Sequence, residues 1–110
     1  MGRLFKGILV LSILSAANIS YAWEANVTDI LQHGTVAAIS LSPDPGKGNC
    51  DVGSPYILIV DETPAAQQRF SMLLTALASG KKVRGYADAC TTAIWGSSRP
   101  TIRRLGLKNN

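Results

Sequence analysis

The chain has 110 residues, 46% of them hydrophobic and 16% charged, and its 11 basic and 7 acidic side chains give a net charge of +4. That balance excludes intrinsic disorder, which needs few apolar and many charged residues. The length excludes paired cofactor and substrate domains, repeat arrays and multi-span membrane proteins.

Arg3 and Lys6 open the chain with positive charge, and Gly7 to Ala17 is dominated by aliphatic residues. Ser20-Tyr21-Ala22 then offers the small residues that a signal peptidase accepts. A signal peptide over residues 1–22 is expected, followed by a single mature domain over 23–110. The apolar run is about a dozen residues, short of the ~20 that cross a bilayer, so no membrane span is expected after cleavage. Loss of Arg3 and Lys6 leaves 9 basic against 7 acidic residues, a charge of +2. That is ordinary solubility and no nucleic-acid footprint. The expected destination is periplasmic or secreted.

Residues 24–32 mix β-branched and polar types and read as an edge or first strand. A short turn at His33-Gly34 leads into a second strand over 35–41. Residues 42–54 hold two Pro, three Gly, two Asp and Asn49, the composition of a long loop. Tyr56 to Val60 is a continuous apolar run, which predicts a central strand covered on both faces. Thr63 suits a helix N-cap and Pro64 the first turn. Ala66, Phe70, Leu73, Leu74 and Leu77 then recur at helical period, and Gly80 stops the helix. The pattern predicts Phe70, Leu73, Leu74 and Leu77 buried, with Gln68 and Ser79 exposed. Residues 82–87 read as a fourth strand, 91–100 as a loop and 101–107 as a last strand. Ile102 and Leu105 have opposite parity, so a bulge near Arg103-Arg104 is needed to face both inward.

The expected fold class is α+β, mainly β. Five strands with one helix between strands 3 and 4 is the element order of a small OB-like barrel; a sandwich with the helix on one face has the same order. Cys50 and Cys90 are the two cysteines of the chain. An even count in an exported protein predicts a disulfide. A redox pair would need closer spacing, and a metal site more ligands.

The segment Ser71-Met72-Leu73-Leu74-Thr75-Ala76-Leu77-Ala78-Ser79-Gly80-Lys81-Lys82-Val83-Arg84, with Cys50 before it and Cys90 after, resembles small exported bacterial proteins. In these a helix ending in S/T-G-K/Q-x-V-R runs into a strand, as in the B subunits of subtilase-type AB5 toxins. The similarity covers about residues 66–90. It implies an OB-like barrel and a non-enzymatic binding module, with a cell-surface glycan or protein as partner and a homo-oligomeric ring. The toxin subunits carry extra N-terminal residues at the sugar pocket, and no glycan contact transfers residue by residue.

The chemistry-bearing residues are sparse. His33 has no Ser or Asp in a triad arrangement. Asp44, Asp51, Asp61, Glu62 and Asp88 contain no pair spaced for glycoside hydrolysis. Gly46-Lys47-Gly48-Asn49 lacks the spacing of a phosphate loop. No catalytic residue, metal or cofactor is expected; a small periplasmic enzyme or enzyme inhibitor is the alternative. The stretch Trp95-Gly96-Ser97-Ser98-Arg99 sets an aromatic beside directed hydrogen-bond donors. Trp95, Ser98 and Arg99 are therefore candidate ligand contacts; the reading preferred for Trp95 is that it plugs the open end of the barrel, because a large aromatic in a small domain usually belongs to the core. Arg99, Arg103, Arg104 and Lys108 read as the solvated face of an edge strand.

Overall fold

A computed structural model describes residues 21–109. Except for Tyr21 and Ala22, the expected signal peptide lies outside the described residues. The fold is mainly β, with strands β1 (Tyr21–His33), β2 (Val36–Ser42), β3 (Tyr56–Ile59), β4 (Lys82–Thr91) and β5 (Arg99–Lys108). The helix α1 (Pro64–Ser79) lies between β3 and β4. The strands pair in a ring ordered β1-β2-β3-β5-β4, with β4 returning to β1. Every pair is antiparallel except β3 with β5, which is parallel and meets at Ile57 and Thr101.

Two expectations about edges are corrected by this ring. β1 is no edge strand, because it pairs with β2 along one side and β4 along the other. β5 is no edge either, lying between β3 and β4. The composition of a single strand does not name its neighbours, so an edge strand cannot be told from one paired on both sides until the pairing is known.

Alternation then decides what enters the interior. Trp23, Ala25 and Val27 point inward along the first part of β1. The register shifts between Val27 and Asp29, which resets the parity so that Ile30 packs on the core while Leu31 stays exposed. On β5, Tyr86 opposes Arg104 and Ala87 opposes Ile102, leaving Arg103 as the extra residue. The bulge expected there is present, and it turns both Ile102 and Leu105 to the core. Inside the ring Trp23 meets Tyr56 edge to face, with ring centroids 5.4 Å apart. The Tyr56 hydroxyl reaches out of the core to donate to the Gly46 carbonyl at 2.7 Å.

The helix begins where expected. Thr63 Oγ1 accepts the Ala66 N–H at 3.2 Å. Asp61 Oδ1 accepts from both the Thr63 N–H and its hydroxyl, which locks the cap. These bonds, the Thr63 hydroxyl foremost, hold the Asp61 carboxyl below its ordinary range. Gly80, at φ 75°, ends the helix and donates to the Ala76 carbonyl. The buried face is only partly the expected one. Leu73 is fully buried and Phe70 packs partly on the core, while Gln68 and Ser79 are exposed as predicted. Leu74 and Leu77, however, are 45% and 40% exposed. Ala66 and Ala76 are buried in their place. Small side chains let a helix lie close against a sheet, so the contact face turns toward the alanines and away from the larger leucines.

Nor does α1 supply the whole cover of β3. Tyr56 and Leu58 face the interior with Leu73, but Ile57 faces outward. There it forms a second small cluster with Val36 and Ala38 of β2, covered by Ile94 from the segment after β4.

Candidate functional site

Two loops meet outside β2 and β3. The first, residues 43–55, is held at several points. Cys50 is bonded to Cys90 of β4, with their Cα atoms 5.6 Å apart, as the cysteine count predicted. Asp44 Oδ1 accepts the N–H groups of Gly46 and Ser54. Ser54 Oγ in turn accepts the Leu41 N–H at 2.9 Å. Polar residues in this loop thus supply the backbone partners that a strand would otherwise provide.

The second loop, residues 92–98, is laid on the first. The Asp51 N–H donates to Ser98 Oγ at 2.7 Å and to the Ser98 carbonyl at 3.0 Å. Ser98 N–H returns a bond to Asp51 Oδ2 at 3.0 Å. The Ser98 backbone N–H, then its hydroxyl and the charge of Lys47, hold the Asp51 carboxyl below its ordinary range. Ile94 anchors the same loop from below in the outer apolar cluster.

Of the three candidate contact residues, the structure brings Trp95 and Arg99 together. The Arg99 guanidinium carbon lies 4.8 Å from the Trp95 ring centroid, within cation–π range. Its Nη1 donates to the Gly53 carbonyl at 3.5 Å, and its Nε is buried without a partner among the described residues. Ser98 is used differently: its hydroxyl and backbone staple the two loops. Trp95 is no barrel plug, being 47% exposed. Trp23 takes the interior position instead, because an inward site at the start of β1 reaches the middle of the ring. The exposed apolar side chains Leu31 and Ile59 belong to the same outer face, opposite Ala38 and Val36 in the sheet register.

His33 ends β1 as an exposed residue. The basic strip is divided: Arg103 and Arg104 are exposed, Arg99 is half-buried, and Lys108 pairs with Glu24 at 3.0 Å. Among the described residues no three His, Cys, Asp or Glu side chains gather as metal ligands.

The sequence reading missed a second concavity. A hollow of about 760 Å³ lies on the wall made by β1, β4 and β5, with Tyr86, Arg84 and Arg104 among its lining. Arg104 stood out only as one of a charged strip. Tyr86 and Arg84 become its neighbours through strand register, which the sequence does not display. No family model, curated protein or solved structure matches the chain.

Proposed function

We propose that this protein is an exported, non-enzymatic binding module built on an OB-type barrel, comparable to the B subunits of subtilase-type toxins, whose contact surface centres on Trp95. The observation that carries the reading is the Trp95–Arg99 pair: a half-exposed indole held against a guanidinium on a doubly stapled loop. Ordering such a side chain before binding reduces the entropy lost on contact. A half-exposed indole supplies an apolar face for a sugar ring or a protein side chain.

Supporting points come from the rest of the chain. The ring order β1-β2-β3-β5-β4 with a helix between β3 and β4 is what an OB-type barrel requires. The Cys50–Cys90 bond is compatible with an oxidising compartment. No helix among the described residues is long and apolar enough to cross a membrane. The test pairs a glycan array with pull-down from native periplasm, using wild type and Trp95→Ala. The expected result is a ligand whose capture falls at least tenfold in the variant while the thermal melt is unchanged. Equal capture by both would remove Trp95 from the contact surface.

A further inference from the structure

The Cys50–Cys90 bond carries an inference that does not depend on what Trp95 contacts. Its two ends differ in access. Cys50 is buried, at 7% exposure, whereas Cys90 lies exposed near the end of β4, just before the 92–98 loop. Neither cysteine belongs to the apolar cluster inside the ring or to the smaller one on its outer face. The bond therefore ties the outer loops together and is no part of the packing that closes the barrel.

The 43–55 loop depends on it more than its hydrogen bonds suggest. Cys50 is the one buried residue in that loop. Its N–H donates to the Lys47 carbonyl at 2.8 Å, so the exposed residues Lys47, Gly48 and Asn49 form a turn hung on this side chain. The next two residues make the contact with the Trp95 loop. The N–H groups of Asp51 and Val52 both donate to the Ser98 carbonyl, at 3.0 and 3.1 Å, and the Ser98 N–H donates back to Asp51 Oδ2. Asp51 is exposed, and Val52 and Ser98 are half-buried, so water competes for each of these bonds. The covalent link beside them keeps donors and acceptors in register. The start of the loop has a separate hold, through the Tyr56 hydroxyl on the Gly46 carbonyl.

Thiol–disulfide exchange is a displacement by a thiolate at one sulfur, and access helps to decide which sulfur is attacked. A thiolate arriving from solvent meets the Cys90 end. A bond forms between the incoming sulfur and Cys90 Sγ, and the bond between Cys90 Sγ and Cys50 Sγ breaks. Its electron pair leaves on Cys50 Sγ, which takes a proton from water. Cys90 then carries a mixed disulfide and Cys50 a thiol, with no other oxidant or reductant consumed. Cys50 Sγ lies 3.8 Å from the Ala89 carbonyl oxygen, an acceptor for the new S–H. We propose that Cys90 is an S-thiolation site for low-molecular-weight thiols, and that its modification frees the 43–55 loop from the Trp95 loop while the ring of strands stays folded.

The test incubates the purified, disulfide-bonded protein with reduced glutathione, quenches samples in acid and maps the products by peptide mass spectrometry. Glutathione is expected on Cys90 at least tenfold more often than on Cys50, at a rate that stays flat in urea below the unfolding transition. Attack through global unfolding would instead follow the unfolded population. In the urea-unfolded chain, where both sulfurs are open, the preference should vanish. Amide resonances then compare the disulfide-bonded protein with Cys50→Ser protein carrying glutathione on Cys90. Those of Asp51, Val52 and Ser98 are expected to move to random-coil positions, while those of Ile39, Leu58 and Val83 stay in place. Absence of the adduct, glutathione on Cys50 or on both sulfurs alike, or a rate that climbs in step with unfolding would each overturn the proposal. So would loop resonances that do not move, or strand resonances lost along with them.

Discussion

Replacing Gly85 by alanine should be among the most damaging single-atom additions to this fold. Gly85 is buried on β4, with Trp23 beside it on β1 and Leu105 on β5. A Cβ there would collide with the Arg104 carbonyl oxygen and stand 2.9 Å from Trp23 Cζ2. The indole could tilt, but the carbonyl belongs to the backbone of the neighbouring strand and cannot move alone. Overpacking usually costs about 1–3 kcal/mol, and with a backbone obstacle the upper end applies, about 3 kcal/mol. The stability of a domain of this size is about 4–13 kcal/mol, so the loss is a large share. With a urea m-value of about 1–1.5 kcal/mol/M, the unfolding midpoint should fall by about 2–3 M. Trp23→Phe removes the indole obstacle but leaves the carbonyl. Gly85→Ala should therefore cost less in that background, by about 0.5 kcal/mol or more, without becoming neutral. A Gly85→Ala protein with the wild-type midpoint would mean that Trp23 does not lie across β4 and that the interior is packed differently.

The two faces of α1 should separate cleanly. Leu73→Ala removes a fully buried side chain and should cost about 2–5 kcal/mol. Leu74→Ala, at a position 45% exposed, should change stability by about 0.5 kcal/mol or less in the same denaturant titration. Reducing the Cys50–Cys90 bond opens a 40-residue loop, and comparison of oxidised and reduced protein should show a loss of about 4 kcal/mol. Acid should loosen the Trp95 loop before it unfolds the ring. The Asp51 carboxyl is depressed in the fold, so its contribution is complete above the unfolded value of about 4 and disappears as pH falls through the lower folded value. Hydrogen exchange at the Ser98 amide, followed from pH 5 to 2, should accelerate beyond its intrinsic pH dependence. Asp51→Asn should abolish that excess.

Local chemistry made much of this fold legible in the sequence. The Thr63 cap, the Gly80 stop and the Arg103 bulge each depend on residues within a few positions of one another, and each was predictable. The disulfide was predictable for another reason, the pairing of two cysteines by count. A closed barrel was one of the two architectures the element order allowed, but its strand partners were not legible, because β1 and β4 are distant in the chain and neither carries a mark of the other. The rotation of α1 was hidden because hydrophobic periodicity weights leucine above alanine, whereas close packing favours the smaller residue. In the candidate sites, Trp95 was conspicuous as an aromatic in a polar loop. The role of Ser98 as a staple to Asp51 was not, since it depends on two loops meeting across the sheet. Tyr86 was hidden for the opposite reason: it sits in a strand, where an aromatic attracts no notice until its neighbours are known.

Closing the strands on one another has a kinetic consequence. Trp23 must find Gly85, and Ile57 must find Thr101, before the interior is sealed. Contacts of such long range form late, after the local hairpin of β1 and β2. For a chain that crosses a membrane unfolded, as the proposed export route requires, this order of events is an advantage. While β4 and β5 remain on the near side, β1 lacks its second neighbour and Cys50 lacks Cys90. Neither premature closure nor the native cross-link can then jam the passage. The same topology exposes the open side of β1 during transit, an edge available for pairing with another chain. Folding is thereby tied to the arrival of the last residues, and a factor that shields the β1 edge until then would raise the yield without touching the finished molecule.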